Sequence, residues 1–286
     1  MDNHRIRELA NQYTAHDLIV THTELPAYPE QRTRLLCAFL SGGTSESGQS
    51  ELYALATSLA QLGLDTHDMV DPPPVASHGR ARARQLRVLA GDYFNSRFYQ
   101  LLSQAERIDI VRLVSKAICE VNRLKMMLYE RIGELKMTAD EYLEHCVSIK
   151  SELFVVFAAL MPGKYAGWWP EVLRALTRCE IIAEEMERAR SRKDARKGWA
   201  FLYLLQSTRG ADRKNVLESD ADGLFSWFAK FQIQSKLAQM LHHQMQHVAR
   251  FIEQFGTDAL AAEIRQAFEP FRSKISLAQT ANEIPR

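Results

Sequence analysis

Residues 106–133, ERIDIVRLVSKAICEVNRLKMMLYERIG, decide the class of fold. Apolar side chains recur in this stretch every three or four residues, which places them on one face of a helix. These apolar residues are Ile108, Val111, Val114, Ile118, Val121, Leu124, Leu128 and Ile132. The opposite face carries Arg112, Lys116, Glu120, Arg123 and Arg131. The stretch therefore predicts a long amphipathic helix with one buried side.

The same helical periodicity continues on both sides of this stretch. Of the 286 residues, 46% are hydrophobic and 25% are charged, whereas Gly and Pro number only 13 and 9, which favours helices over a loop-rich sheet protein. No segment alternates apolar and polar residues, so we expect no β-sheet. Thr138 and Glu141 have the spacing of a capping box, which predicts that a helix begins there and runs to Pro162. The chain should be all-α, a single bundle of about ten helices.

The remaining predicted helices span residues 4–22, 30–40, 48–69, 80–104, 168–191, 198–207, 222–255 and 257–277. The polar stretch 41–48 and the run Asp71-Pro72-Pro73-Pro74 end helices, but both are too short to separate domains. We therefore expect one domain over residues 1–286, and we expect the charge-rich run 184–197 to be a solvated helical face.

Charge and cysteine usage exclude several classes of protein. Lys and Arg number 36 against 35 acidic residues, a net charge of +1, so no overall field attracts nucleic acid. Cys37, Cys119, Cys146 and Cys179 are far apart and form no CxxC pair, which is typical of a reducing compartment. The longest apolar run, residues 153–161, is far shorter than the roughly 20 residues that span a bilayer. We expect a cytoplasmic protein without a membrane span.

Three segments carry residues with chemical potential, and each also has a plain structural interpretation. Asp68 and Asp71 are about one helical turn apart and could bind one cation, or they simply end a hydrated helix before the prolines. Gly91 interrupts the helix of residues 84–102, which often marks a close approach of two helices. Lys150 precedes the most apolar run and could bind an anion or merely snorkel from a buried helix.

In this order the three segments resemble the trans-polyprenyl diphosphate synthases. Helices of that family carry a DDxxD motif, a GDxL helix, a Lys-Thr pair and a second aspartate-rich motif. The resemblance implies an isoprenoid-synthase-like fold in which carboxylates hold Mg²⁺ ions against an allylic diphosphate and basic residues neutralise the rest of its charge. It makes His67, Asp68, Asp71, Arg84 and Lys150 the candidates for residues close to substrate.

The chain departs from the family pattern at the metal ligands. His67 occupies the position of the leading aspartate, and Ala183 occupies a ligand position in the counterpart of the second motif. The paired arginines survive only as Arg80, Arg82, Arg84 and Arg87. A neutral imidazole is a softer ligand without negative charge, so we expect no metal site and no prenyl transfer by this chain alone. The alternative is a stand-alone prenyltransferase in which Asp68, Asp71 and Lys150 hold one Mg²⁺ and a diphosphate.

Residues 85–93, QLRVLAGDY, are similar to the small subunit, component I, of two-component heptaprenyl diphosphate synthases. Agreement in helical order extends over about residues 51–190, within a core region of 48–191, with N-terminal helices in 1–47 and C-terminal helices in 192–286. The resemblance implies a heterodimer with a catalytic component II, which bears the aspartate-rich motifs, binds Mg²⁺ and uses allylic and isopentenyl diphosphates. The product would supply the side chain of menaquinone.

Two further expectations concern product length and rival functions. Leu59, Leu62 and Gly63 precede His67, where related enzymes place the floor of the product tunnel, although Gly63 could serve helix packing instead. The histidines of residues 242–247 include an i, i+4 pair but lack HExxH, so we expect no zinc site there. A helical adaptor unrelated to isoprenoids would show the same periodicity.

Overall fold

The computed structural model describes residues 3–42, 47–70, 78–161, 163–253 and 259–280, and these contain α-helices and no strand. The first six helices are α1 (Asn3–Thr14), α2 (Asp17–His22), α3 (Glu30–Ser41), α4 (Ser47–Asp68), α5 (His78–Gln104) and α6 (Ile108–Gly133). The next four are α7 (Ala139–Val155), α8 (Lys164–Arg188), α9 (Gly198–Ser207) and α10 (Gly210–Glu218). The last three are α11 (Ala221–Lys230), α12 (Ile233–Glu253) and α13 (Ala259–Thr280). Short 3₁₀ segments follow α7 (Val156–Leu160) and α8 (Arg192–Asp194). The all-α prediction is confirmed.

The described residues form thirteen α-helices instead of the expected ten or so, because a short break between two helices does not change the periodicity of the apolar residues. The predicted helix 4–22 is divided where His16 caps the start of α2 by accepting a hydrogen bond from the Leu18 amide. The predicted helix 222–255 is divided at Gln232, whose φ of 53° is incompatible with a continuing right-handed helix. Helix α10 was absent from the prediction, and the helix that begins at Ala139 becomes 3₁₀ at Val156 instead of running to Pro162.

The capping box at the start of α7 is confirmed in detail. The Thr138 amide donates to Glu141 Oε2 at 2.9 Å, and the Glu141 amide donates to Thr138 Oγ1 at 3.2 Å. The carboxylate also pairs with Arg131 at 3.0 Å. The hydrogen bonds from the Thr138 amide and from Arg131 lower the pKa of the Glu141 carboxyl, so the capping carboxylate is fully charged at neutral pH.

The chain forms two compact units, and helices α6, α7 and α8 contribute residues to both. The first unit comprises Met1–Cys119 and Leu153–Trp169. Its central helix is α4, because residues 53–64 are all buried. Polar side chains within this run are satisfied locally: Thr57 donates to the Tyr53 carbonyl at 2.7 Å, and Ser58 donates to the Leu55 carbonyl at 2.8 Å. The single domain predicted from the sequence stays a prediction.

The second unit comprises Glu120–Glu152 and Pro170–Arg286. Its helices bury apolar side chains that repeat at helical spacing, such as Leu237, Leu241 and Val248 on α12. Helix α9 is apolar on most of its surface and is largely buried. All four cysteines of the chain are free, as their separation in sequence predicts. Within the described residues, no helix is long and apolar enough to cross a membrane.

Helices α4 and α5 approach each other closely at Gly63. A Cβ atom on Gly63 would lie 2.7 Å from Asn95 Oδ1 and 3.1 Å from the Gly91 carbonyl oxygen. The two helices run antiparallel, because Gly63 lies near Asn95 and His67 lies near Gly91. The packing role considered for Gly63 is therefore the one that the geometry supports, and the close approach expected at Gly91 is confirmed.

We predict that Gly63→Ala lowers the free energy of unfolding by about 1–3 kcal/mol, because the added methyl group must push α5 away. The matched control is Gly48→Ala in the same helix, where an added Cβ meets nothing within 4 Å. This control should leave stability unchanged or raise it by up to about 1 kcal/mol, since Ala favours helix. Urea denaturation followed by circular dichroism measures both, and equal effects of the two substitutions would contradict the close-approach argument.

Candidate functional site

The C-terminal end of α4 and the N-terminal half of α5 bring several of the predicted residues together. His67 Nε2 lies 3.4 Å from Asp92 Oδ1, and the His67 side chain is 33% exposed. The imidazole ring lies over Gly91, where a Cβ atom would be only 2.7 Å from His67 Cε1. Because α4 and α5 are antiparallel, the histidine that replaces the expected leading aspartate is held by the acidic residue that follows Gly91.

Two arginines of α5 have different roles at this end of the hairpin. Arg87 donates from Nη1 to the Met69 carbonyl at 3.2 Å, which satisfies a carbonyl just beyond the end of α4 and complements the helix dipole. Arg84 is half-buried, and its Nε atom is buried without a hydrogen-bond partner. An unpaired buried donor is costly, so the Arg84 guanidinium would gain from contact with an anion; the Nε atom of Arg87 is likewise buried without a hydrogen-bond partner among the described residues.

Of the two acidic residues predicted near the end of α4, Asp68 and Asp71, the structure describes only Asp68. Asp68 is the last residue of α4 and is exposed. Asp71 lies outside the described residues, as do the prolines that follow it and the side chain of Arg80. Within the described residues no group of three or more His, Cys, Asp or Glu side chains could hold a metal ion. The donors described at the end of α4 fit Mg²⁺ poorly, because the imidazole of His67 carries no negative charge and already contacts the Asp92 carboxylate.

The candidates for a product-length wall lie in the core of the first unit. Leu59 and Leu62 are 0% and 1% exposed, and Gly63 faces α5. The structure thus gives Gly63 a packing role, and a role in product length stays a prediction for all three residues. Phe94 and Phe98 on α5 are also buried in this core.

Lys150 lies in the second unit and forms an ion pair with Glu184. The lysine is on α7 and the glutamate is on α8, in the segment expected to be the counterpart of the second aspartate-rich motif. Ala183, in the expected ligand position, is buried. The Lys150 side chain is only 24% exposed, so its ammonium group is held at the helix pair rather than extended into solvent. The Glu184 carboxylate therefore compensates the charge of the lysine that the resemblance implies for diphosphate binding.

The most buried charged residue of the second unit, Glu185, was not among the residues predicted from the sequence. Glu185 is 2% exposed and accepts hydrogen bonds from the Trp199 amide at 2.7 Å, Arg188 Nη1 at 2.7 Å and the Tyr142 hydroxyl at 3.0 Å. The prediction of a solvated face over residues 184–197 is therefore wrong at Glu185. The sequence contains a signal for this burial. Glu185 lies four residues after Ile181 and three after Ile182, so it is on the same helical face as these apolar residues.

Burial controls the ionisation of the groups around Glu185. Desolvation raises the pKa of the Glu185 carboxyl, and the Arg188 guanidinium opposes that shift. Burial also raises the pKa of the Cys146 thiol to about 11 and raises the pKa of the Tyr142 phenol. Both groups are therefore protonated at neutral pH, and neither offers a nucleophile.

The C-terminal histidines show no metal geometry. His242 Nε2 lies 2.9 Å from Gln246 Nε2 on the next turn of α12. His242, His243 and His247 belong to no potential metal-binding group within the part of the chain that is described.

We predict that Glu185→Ala lowers the free energy of unfolding by about 2–4 kcal/mol, because it leaves the Arg188 guanidinium and the Trp199 amide without their acceptor. Glu184→Ala is the matched control on the adjacent residue. Its ion pair with Lys150 is partly exposed, so its loss should cost at most about 1 kcal/mol. Urea denaturation at pH 7 measures both variants, and a larger effect at Glu184 than at Glu185 would overturn this assignment of the buried charge.

Solved structures with the same arrangement of helices identify the class of fold. A decaprenyl diphosphate synthase from Rhodobacter capsulatus superposes with a TM-score of 0.69 at 11% identity, covering 93% of each chain. A heptaprenyl diphosphate synthase from Staphylococcus aureus superposes with a TM-score of 0.61 at 12% identity, covering 96% of this chain and 98% of the other. The fold is that of the polyprenyl synthases, an all-α isoprenoid-synthase fold.

The sequence then identifies the family within that class. Residues 16–196 match the family described as heptaprenyl diphosphate synthase (HEPPP synthase) subunit 1, and the chain belongs to this family. The heptaprenyl diphosphate synthase component 1 of Geobacillus stearothermophilus is 36% identical over 129 residues. That match covers 45% of this chain and 55% of the relative, so it spans about half the length of each. The resemblance based on residues 85–93 is confirmed.

Proposed function

We propose that this chain is the non-catalytic subunit of a heterodimeric heptaprenyl diphosphate synthase. A catalytic component II with intact aspartate-rich motifs is its partner, and the pair elongates an allylic diphosphate with isopentenyl diphosphate to a trans product. The product supplies the side chain of menaquinone, and the pair works in the cytoplasm. The chain's family is itself described as a subunit, which supports the requirement for a second component.

The observation that carries the proposal is that a histidine occupies the position where the leading metal-binding carboxylate is expected. His67 stands there, and its imidazole rests on Gly91 beside Asp92. In the second unit Ala183 is a buried methyl group, and Glu184 is engaged by Lys150. A site for several Mg²⁺ ions needs several free carboxylates, so the metal ions of the assembled synthase are assigned to the partner.

The proposal gives this chain a role in substrate binding and product length rather than in ionisation of the allylic diphosphate. The Arg84 guanidinium, with its buried and unpaired Nε atom, is suited to meet a diphosphate oxygen. Apolar residues of α4 such as Leu59 and Leu62 are suited to line or support a product tunnel.

The first test of the proposal is reconstitution. The purified chain, a component II with both intact motifs, and the mixture are assayed with an allylic diphosphate, labelled isopentenyl diphosphate and Mg²⁺. We expect at least about a hundredfold more product from the mixture than from this chain alone, because carboxylate–metal stabilisation of the leaving diphosphate is then present. Comparable turnover by this chain alone would favour the stand-alone enzyme. Failure of the two chains to associate would favour the helical adaptor.

A second test concerns the acidic residues at the end of α4. We expect the double substitution Asp68→Ala with Asp71→Ala to change the activity of the reconstituted pair by less than about twofold, with the same Mg²⁺ dependence, because the metal ligands are assigned to the partner. Alanine substitution of the leading aspartates of component II is the positive control and should abolish activity. A tenfold loss, or a higher Mg²⁺ requirement, in the Asp68 and Asp71 variant would show that this chain contributes metal ligands.

A further inference from the structure

A pocket of about 500 Å³ lies in the second unit, between the end of α6, the start of α7 and the start of α9. One part of its wall is apolar and includes Leu128, Ile132 and Phe201. Another part is basic and consists of Arg188, Arg196 and Lys197. Its size falls in the range of small-molecule sites, which combine an apolar lining with a few converging polar groups. We call it the α6–α9 pocket.

The α6–α9 pocket is on a different side of α8 from the residues that resemble the synthase motifs. Lys150 pairs with Glu184. The pocket is instead lined by Arg188, which donates a hydrogen bond to Glu185. Successive residues of a helix point about 100° apart, so these two glutamates serve two separate faces of α8. The pocket is thus independent of the segments used for the proposed function.

The basic groups of the pocket retain capacity for an anion. Arg188 makes both of its hydrogen bonds, to Glu185 and Tyr142, through Nη1, which leaves its other nitrogens without a protein partner among the described residues. Arg196 donates to the backbone carbonyls of Leu217 and Ser219 rather than to a carboxylate. Hydrogen bonds to carbonyls satisfy donors but leave the positive charge uncompensated.

The acidic groups nearby do not cancel this charge. Lys197 pairs with Asp194 at 3.0 Å, and Glu185 compensates Arg188. Within the described residues the pocket and its backing therefore carry three cationic side chains against two carboxylates. The excess positive charge is that of Arg196, whose guanidinium carbon lies 5.9 Å from the ring centroid of Phe201 in the apolar wall.

The wall of the pocket is held in place by the buried network. Gly198 has a φ of 78°, and a Cβ atom there would lie 2.9 Å from both Glu185 Oε1 and Arg188 Cδ. The buried glutamate, the arginine and the first residue of α9 are therefore packed against one another without space for a side chain. This packing fixes the orientation of the Arg188 guanidinium before any ligand binds, which lowers the cost of binding.

We propose that the α6–α9 pocket binds a single-chain anionic amphiphile, the phosphate or diphosphate ester of a short aliphatic chain. The anion contacts Arg188, Arg196 and Lys197, and the chain lies along Leu128, Ile132 and Phe201. Charge alone would favour any phosphate, and the apolar wall alone would favour any hydrocarbon, so the ligand must combine the two.

The test is direct binding to the full chain by calorimetry, with geranyl diphosphate as the probe. Inorganic pyrophosphate and geraniol each supply one half of the ligand and should bind at least about tenfold more weakly. Soluble dihexanoyl phosphatidate represents a phospholipid with two acyl chains and should also bind more weakly than geranyl diphosphate. Absence of geranyl diphosphate binding, or equal binding of pyrophosphate or phosphatidate, would overturn the proposal.

Variants of the chain locate the site. Lys197→Gln and Arg196→Gln should each weaken geranyl diphosphate binding by about tenfold, the usual effect of removing a charged contact to phosphate. The matched control is Lys193→Gln, an exposed lysine four residues away that does not line the pocket. Lys150→Gln is the control for the synthase-like segments. Binding that is lost with Lys150→Gln but retained in both pocket variants would place the ligand elsewhere and refute the proposal.

A stability control accompanies the pocket variants, and the binding test is independent of the reconstitution assay. Because Arg196 bonds two backbone carbonyls, its variant is accepted only if its urea midpoint is unchanged; Lys197→Gln tests the site without that contact. Binding is measured on this chain alone, so failure of the pocket proposal leaves the reconstitution experiment unaffected, and failure of reconstitution leaves the binding measurement interpretable.

Discussion

The packing of α4 against α5 determines how the residues at the end of α4 are arranged. At Gly63 and Gly91 the helices approach so closely that a Cβ atom would overlap a side chain of the opposite helix. The absence of a side chain at Gly91 makes room for the His67 imidazole, which then reaches Asp92. The same antiparallel register brings Arg87 to the Met69 carbonyl. One packing constraint thus orients a histidine and an arginine.

A buried charge has the corresponding role in the second unit. Glu185 is desolvated, and a desolvated carboxylate is tolerated only with several donors. Those donors come from α7, from the following turn of α8 and from the start of α9. The neighbouring Glu184 pairs with Lys150 on a different face of α8. Two adjacent glutamates of α8 therefore have different partners. Glu184 pairs with Lys150 on α7, and Glu185 binds Tyr142 and Arg188, which line the α6–α9 pocket.

Helical periodicity predicted most of the elements because burial of one face repeats with the helical turn. The stretch 106–133 became α6 (Ile108–Gly133), and the capping box placed the start of α7 within one residue. Breaks were harder to predict, since Gln232 adopts a positive φ without any glycine or proline to signal it. The prediction of a solvated run failed at Glu185, because charge composition does not show which member of a run faces the core.

The candidate site could be predicted only as a set of residue types. The order of the segments indicated the family, and the substitutions at His67 and Ala183 indicated a chain with a deficit of metal ligands, because both facts depend on side-chain chemistry and spacing alone. Which partner each side chain takes depends on contacts between helices that are distant in sequence. His67 with Asp92, Lys150 with Glu184 and Glu185 with the Trp199 amide are such contacts. The sequence by itself determined most of the helices and the family, since these follow from local pattern, and it placed His67 and Ala183 where carboxylates were expected. Only the tertiary structure decided which charges are buried and which helices meet at glycines, because burial is a property of the packed chain.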